Sequence, residues 1–81
     1  MTDDDVFTIN AHNLLCPMPV IRVQNAIAEA EEGALIKAIC TDPGAMHDIP
    51  AWARVHGHTV VEKIEKPDDN EYIIVVRVHH S

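Results

Sequence analysis

The sequence predicts an α/β two-layer sandwich, with two helices on one face of a four-stranded mixed sheet in the order β-α-β-α-β-β. Short β-branched and aliphatic runs alternate with two segments whose apolar residues recur every three or four positions. The last two strand patterns are separated only by turn residues, which predicts an antiparallel hairpin. The 81 residues are 47% hydrophobic but only 4% aromatic, so they suffice for one domain with an aliphatic core.

The first half of the chain predicts a strand followed by an amphipathic helix. Residues 1–5 are expected to be a flexible acidic tail, and residues 6–79 a single domain that opens with a strand over residues 6–9. The buried face of the first helix is predicted to contain Val20, Val23, Ile27 and Ala30. Gly33 is predicted to end this helix as the residue just beyond its C-cap.

The second half predicts a buried strand, a helix and the hairpin. Residues 34–40 are almost continuously apolar, as expected of a strand covered by helices, and Cys40 is the last of them. The next helix is predicted to begin with Asp48 as its N-cap and Pro50 in its first turn, and to end at Gly57. The hairpin strands are predicted over residues 59–64 and 71–78. The terminal His79 and His80 are expected to be flexible.

The charge of the chain narrows the choice of partners. Thirteen acidic and six basic residues give a net charge of −7, which argues against nucleic-acid binding and favours a protein partner with a basic docking patch. No apolar run approaches the roughly 18 residues of a membrane span. The two cysteines and the acidic N-terminus predict a cytoplasmic protein whose thiols stay reduced.

Cys16 is the strongest candidate for chemistry because it lies in the run Cys16-Pro17-Met18-Pro19 at the start of the first helix. Pro17 suits the first helical position, which makes Cys16 the N-cap. Unpaired N–H groups and the helix dipole would then favour the thiolate, with a pKa between roughly 3.5 and 7.5 instead of about 8.5. The sequence therefore predicts a nucleophilic Cys16.

A second cysteine leaves two interpretations open. If the first two strands are parallel, Cys16, Cys40, Asp42 and Met46 gather at one rim of the sheet, with Asp42 as a rim acid. Cys40 is then either a small buried residue or a resolving thiol that forms a disulfide with Cys16. The second possibility would make the chain a non-catalytic redox-regulatory interaction module.

Other thiol and metal chemistry has weaker support. His12 and His47 could approach Cys16, but no signature assigns either as a base for a hydrolase. The histidines lack the paired spacing of a metal site, so no metal is expected. An exposed thiolate can still take a sulfur atom from a persulfide and pass it on by thiol exchange, which requires no cofactor.

Residues 9–20, which include the Cys16-Pro17-Met18-Pro19 run, resemble the L-D-x-x-G-L-x-C-P-x-P-V segment of the TusA, or SirA-like, family of sulfur carriers. Residues 41–43 and 48–50 are similar to the family's second signature, with its D-P and D-I-P elements. The resemblance covers nearly the whole chain and agrees with the predicted fold. Asn10 replaces the usual Asp of the motif, and Asn13 replaces the usual Gly.

The resemblance implies a sulfurtransferase-type carrier that holds a persulfide on Cys16, with Pro17 and Pro19 as the flanking motif prolines. Met18 and Arg22 are candidate partner contacts beside it. Family members receive sulfur from a cysteine desulfurase or a rhodanese and pass it to DsrE-like or related acceptors. The implied pathways are tRNA thiolation, molybdenum-cofactor synthesis and the oxidation of inorganic sulfur.

Overall fold

The computed structural model describes residues 6–12 and 18–79. These residues form the predicted order of elements: β1 (Val6–Ala11), α1 (Met18–Glu29), β2 (Leu35–Cys40), α2 (Ala45–Val55), β3 (Thr59–Lys66) and β4 (Glu71–Arg77). A 3₁₀ turn over Pro67–Asp69 connects β3 to β4. The strands form one sheet in the order β1-β2-β4-β3, in which β1 and β2 are parallel and the other neighbours antiparallel. The predicted mixed sheet and hairpin are confirmed.

Both helices cover the same face of the sheet. Residues of β2 alternate in burial, and Ile36, Ala38 and Cys40 are fully buried beneath the helices. The helices contribute a matching apolar face, formed by Pro19, Val23 and Ile27 of α1 and by Ala45, Met46, Ile49 and Ala53 of α2. The aliphatic core predicted from the composition therefore lies between the two layers, and its packing fixes the direction of both helices.

The predicted start of α2 was wrong. The helix begins at Ala45, with Gly44 as its N-cap, so Asp48 lies in the first turn and Pro50 lies inside the helix. The cause is the turn before it: Asp42 accepts the N–H of Gly44 through Oδ1 at 3.0 Å and the N–H of Ala45 through its carbonyl oxygen at 3.0 Å. These bonds start the helix earlier than the position of Pro50 suggests.

The predicted role of Gly33 at the end of α1 was also wrong. The helix ends at Glu29, and Gly33 lies in the following turn with a φ of 85°. Gly33 donates its N–H to the carbonyl of Val78 at 2.8 Å, and Val78 donates to the carbonyl of Ala34 at 2.8 Å. This backbone pairing with the end of β4 replaces further helical bonds, and the positive φ allows the turn that it requires.

The end of α2 agrees with the prediction. Gly57 has a φ of 84°, its N–H binds the carbonyl of Arg54 at 3.2 Å, and the N–H of His58 binds the carbonyl of Ala53 at 2.8 Å. This pair of bonds is a Schellman motif, in which glycine takes the left-handed position and satisfies the last helical carbonyls.

The expectation of a flexible His79 was wrong, whereas His80 lies outside the described residues. The His79 N–H binds His58 Nδ1 at 3.0 Å, and its ring nitrogens lie 3.0 Å from Thr59 Oγ1 and 3.4 Å from Glu32 Oε2. These contacts hold the chain end against the start of β3. In the part of the chain that the structure describes, neither helix is long and apolar enough to span a membrane.

Candidate functional site

The candidate site lies at the edge of the sheet where β1 and β2 end. Ala11 and Cys40 are paired across the two parallel strands, so the connections to α1 and α2 begin side by side. This confirms the topology from which a shared rim was predicted. Cys16 and Pro17 lie outside the described residues, so the assignment of Cys16 as N-cap and nucleophile stays a prediction.

The connection that leads to Cys16 begins with a local side-chain bond. Asn10 Oδ1 accepts the N–H of His12 at 3.0 Å. An Asp in this position would accept the same bond, so Asn10 preserves the turn of the family motif without its negative charge. The departure from the motif at this residue therefore changes electrostatics and not the backbone hydrogen bond.

His12 connects this rim to the start of β4. The Nε2 atom of His12 is buried and lies 3.3 Å from Glu71 Oε2. The two side chains form an ion pair when the imidazole is protonated, but the contact does not have the geometry of a hydrogen bond. The sequence does not reveal this position of Glu71, because the contact depends on β4 lying next to β2. The order of strands in the sheet is set by tertiary packing and is not visible in the hairpin pattern.

Cys40 is a free cysteine whose side chain is fully buried. Burial, and secondarily the negative charge of Asp42, raises the pKa of Cys40 from its ordinary value of 9.0 to about 11. At neutral pH this residue is therefore a protonated thiol beneath the helices, which argues against the resolving role and favours the interpretation of Cys40 as a small core residue.

The other predicted rim residues have structural contacts. Asp42 is half-buried and forms the turn that begins α2, as described above. Met46 is only 5% exposed and belongs to the core. The rim thus contains an acid beside Cys40, and this acid supports the turn that opens α2.

The first turns of α1 present a small surface that begins within the Cys16-Pro17-Met18-Pro19 run. Pro19 is fully buried and holds this end of the helix in the core. Met18 and Ile21 are 40% and 38% exposed, and Arg22 is also exposed. Ile21 was not among the predicted contacts, although its position next to Arg22 and outside the buried face could have indicated it.

Within residues 6–12 and 18–79 the structure contains no group of three or more His, Cys, Asp and Glu side chains arranged to hold a metal ion.

Comparison with known proteins identifies the family. The family model described as sulfurtransferase TusA matches residues 7–78. The sulfur carrier protein TusA of Pseudomonas paraeruginosa (strain DSM 24068 / PA7) is 38% identical over 58 residues, which are 72% of this chain and 73% of that protein. The protein YrkI of Bacillus subtilis (strain 168) is 37% identical over 60 residues, which are 74% of this chain and 80% of YrkI.

The fold has a counterpart among solved structures. The crystal structure of a SirA-like protein from Desulfitobacterium hafniense superposes with a TM-score of 0.79 at 27% sequence identity, covering 91% of this chain and 99% of that one. The range matched by the family model, residues 7–78, includes both strand–helix units and the hairpin. The chain therefore belongs to the TusA sulfurtransferase family, which includes the SirA-like proteins.

Proposed function

We propose that this protein carries sulfur as a persulfide on Cys16 and transfers it between a donor and an acceptor protein. The observation that carries the proposal is the Cys16-Pro17-Met18-Pro19 run at the junction of β1 and α1, within the segment that matches the TusA family. The buried and protonated Cys40 leaves Cys16 as the cysteine available for this chemistry. The redox-module alternative needs an accessible second thiol, which Cys40 does not supply.

The proposed transfer needs only two thiols and one sulfur atom. The Cys16 thiolate attacks the outer sulfur of a donor persulfide, a new S–S bond forms at Cys16, the donor's S–S bond breaks, and the donor cysteine leaves as a thiolate. The transferred sulfur keeps its oxidation state and its proton. The second transfer, to the acceptor, repeats the step with Cys16 as the leaving thiolate. No cofactor takes part.

Partner proteins are proposed to dock over the first turns of α1. Met18 and Ile21 provide exposed apolar surface there, and Arg22 provides a positive charge in a chain of net charge −7. A few well-packed side chains carry most of the affinity at such contacts, whereas charges at the rim mainly set the association rate and the choice of partner. The acidic remainder of the chain favours a partner that has basic residues around the docking site and an acidic residue opposite Arg22.

The finer assignment rests on the resemblance to the TusA family. A cysteine desulfurase or a rhodanese-like protein is the proposed donor, and a DsrE-like or related protein the proposed acceptor. The sulfur that the acceptor receives would be used in tRNA thiolation, cofactor synthesis or sulfur oxidation. Because a free carrier thiol persists in a reducing compartment, we place the protein in the cytoplasm as part of this proposal.

Sulfur loading is the direct test. The purified protein is incubated with a desulfurase and cysteine, or with a rhodanese and thiosulfate, and its intact mass is measured without reductant. The wild type and Cys40→Ser should gain the mass of one sulfur atom, whereas Cys16→Ser should gain none. Loading of Cys16→Ser to the wild-type level, or failure of the wild type with both donor systems, would contradict the proposal.

The docking surface has its own test with a matched control. Arg22→Glu should slow sulfur transfer at low salt, because it reverses the charge beside the motif. Arg54→Glu makes the same charge change in the last turn of α2, away from the rim, and should transfer at close to the wild-type rate. Equal slowing by both substitutions would indicate an effect of net charge alone and contradict docking at α1.

A further inference from the structure

The two edges of the sheet differ in how they are protected against pairing with another strand. Edge strand β3 contains a β-bulge between Val60 and Glu62 and a run of charged residues, Glu62, Lys63, Glu65 and Lys66. Bulges and edge charges are features that prevent strands of other molecules from adding to a sheet. Edge strand β1, Val6–Ala11, has neither a bulge in its pairing with β2 nor any charged residue or proline.

The β1 edge also exposes apolar side chains. Val6 is 42% exposed and Phe7 is 52% exposed. Phe7 is paired with the fully buried Ile36, so it lies on the face of the sheet that the helices cover. Next to it is a groove of about 250 Å³, lined by Phe7, Thr8, Ile9, Ala26, Glu29 and Ala30. The same strand therefore offers both a protruding ring and an apolar groove beside it.

We propose that β1 is a self-association surface, on which the β1 strand of a second copy of this chain pairs antiparallel to join two four-stranded sheets. The absence of charge on β1 and the exposed apolar side chains that it can pair with its own copy favour this occupant. Two copies of net charge −7 repel each other, but their β1 strands are uncharged and can meet without opposing like charges. A charged partner strand would find no countercharge on β1 itself.

The pleat of the strand restricts the register. In an antiparallel pair of strands, directly opposed residues lie on the same face of the sheet. A two-fold axis between two identical strands therefore sets one residue directly opposite the same residue of the second copy. Centring on Thr8 sets Phe7 opposite Ile9 of the second copy, which joins two apolar side chains on the helix-covered face. Both residues line the groove, so the ring of one copy enters the apolar space beside the strand of the other.

The two neighbouring registers bury less exposed apolar surface or pair fewer residues of β1. Centring on Ile9 would oppose Phe7 to Ala11, which is fully buried and has no surface to cover. Centring on Phe7 would pair only residues 6–8 of each strand, whereas centring on Thr8 pairs residues 6–10. The Thr8-centred pair is therefore the register of the proposed dimer.

This interface is small, so the dimer is weak and depends on protein concentration. Glu29 lines the groove, and each copy brings one such carboxylate to the joint. Salt screens both this repulsion and that between the net charges. Self-association should therefore increase with ionic strength, in contrast to an interface held by ion pairs.

Charged substitutions at Thr8 test the proposal. Self-association is measured by sedimentation velocity over a series of protein concentrations. The wild type should show a monomer–dimer equilibrium, and Thr8→Lys and Thr8→Glu should each weaken it by about tenfold or more, because two like charges oppose each other at the axis. An equimolar mixture of the two variants should dimerise again. Val61→Lys, which adds a charge at an exposed position of the other edge, should behave as the wild type.

Folding is checked by circular dichroism. Thr8 is paired with Lys37 in the sheet, so Thr8→Glu places opposite charges side by side. This variant is therefore expected to fold even if Thr8→Lys does not fold. A wild type that is monomeric at every concentration would overturn the proposal. Loss of the dimer in Val61→Lys but not in Thr8→Glu would also overturn it.

Cross-linking tests the register separately. In a Cys16→Ser background, Thr8→Cys should form a disulfide between two copies under mild oxidation, because the Cα atoms of directly opposed residues come within disulfide range. Val61→Cys in the same background should not form it. Because this background cannot carry sulfur in the proposed way, the outcome is independent of the carrier function. Equal cross-linking at both positions would contradict a β1 interface.

Discussion

The two strand–helix units of this protein have the same topology but place their cysteines differently. The β2–α2 connection contains four residues, and its cysteine is the last residue of the strand, buried under the helices. The β1–α1 connection contains six residues, and its cysteine follows the strand by several positions. Burial raises the pKa of Cys40, whereas the start of a helix is expected to lower that of Cys16. A difference of a few positions after the strand thus separates the buried Cys40 from the cysteine that we propose as the nucleophile.

The largest difference that we expect between the two strand–helix units is in the reactivity of their cysteine thiols. Near neutral pH Cys16 should react with a disulfide reagent about 1,000-fold faster than Cys40, because thiolate is the reactive form and Cys40 is both protonated and buried. Reaction of native Cys16→Ser should therefore be slow, and should become fast only in denaturant. Rapid labelling of native Cys16→Ser would remove the distinction between the two cysteines.

The second effect is on stability in alkali. The folded state keeps the Cys40 proton up to a pKa of about 11, whereas the unfolded chain releases it near 9.0. The folded state then binds more protons at Cys40 between these pH values, so the contribution of Cys40 to the free energy of unfolding is constant below the lower pKa and falls above it, by about 2 to 3 kcal/mol once the pH passes both pKa values.

Urea unfolding at a series of pH values measures this loss. Cys40→Ala should lack the decrease that Cys40 contributes, while Cys16→Ser should retain it, since the linkage belongs to the buried thiol. Identical pH profiles for the wild type and Cys40→Ala would show that other groups cause the decrease.

A smaller effect is expected at the turn of the β2–α2 unit. Asp42→Ala removes the acceptor of the Gly44 N–H and should lower the free energy of unfolding by about 1 kcal/mol. Asp42→Asn keeps an acceptor and removes the charge, so it should lower the pKa of Cys40 from its raised value while costing less stability. Thermal unfolding and the pH dependence of Cys40 alkylation separate the two contributions.

The smallest effect is at the corresponding bond of the β1–α1 unit. Asn10→Ala should lower the free energy of unfolding by about 0.5 to 1 kcal/mol, because the His12 N–H loses its acceptor. Asn10→Asp restores the family residue and should leave stability close to that of the wild type. A loss from Asn10→Asp as large as that from Asn10→Ala would show that the side-chain bond does not support this turn.

Local patterns predicted the elements of the fold, because each buried strand and each apolar helix face has a short sequence period. They failed where a contact distant in the sequence decides the outcome. Gly33 follows the end of α1 because its N–H pairs with Val78, and His79 is held by Thr59 and Glu32. The start of α2 failed for a local reason, because Pro50 was given more weight than the Asp42 turn.

The candidate site was predictable to a similar degree. The motif around Cys16 is a sequence signal, and the burial of Cys40 at a strand end followed from the apolar run before it. The contact between His12 and Glu71 required the order of strands in the sheet. The raised pKa of Cys40 depends on the depth of burial and on the nearby carboxylate, neither of which a linear pattern contains.

The position of His79 has a practical consequence for engineering the protein. The residues before it pair with the start of β2, at the opposite end of the strands from Ala11 and Cys40. A fluorescent protein or a surface tether fused after His79 would therefore leave the molecule from the end remote from the cysteine motif. Such a fusion could report on docking, or immobilise the domain, while leaving access to the motif open.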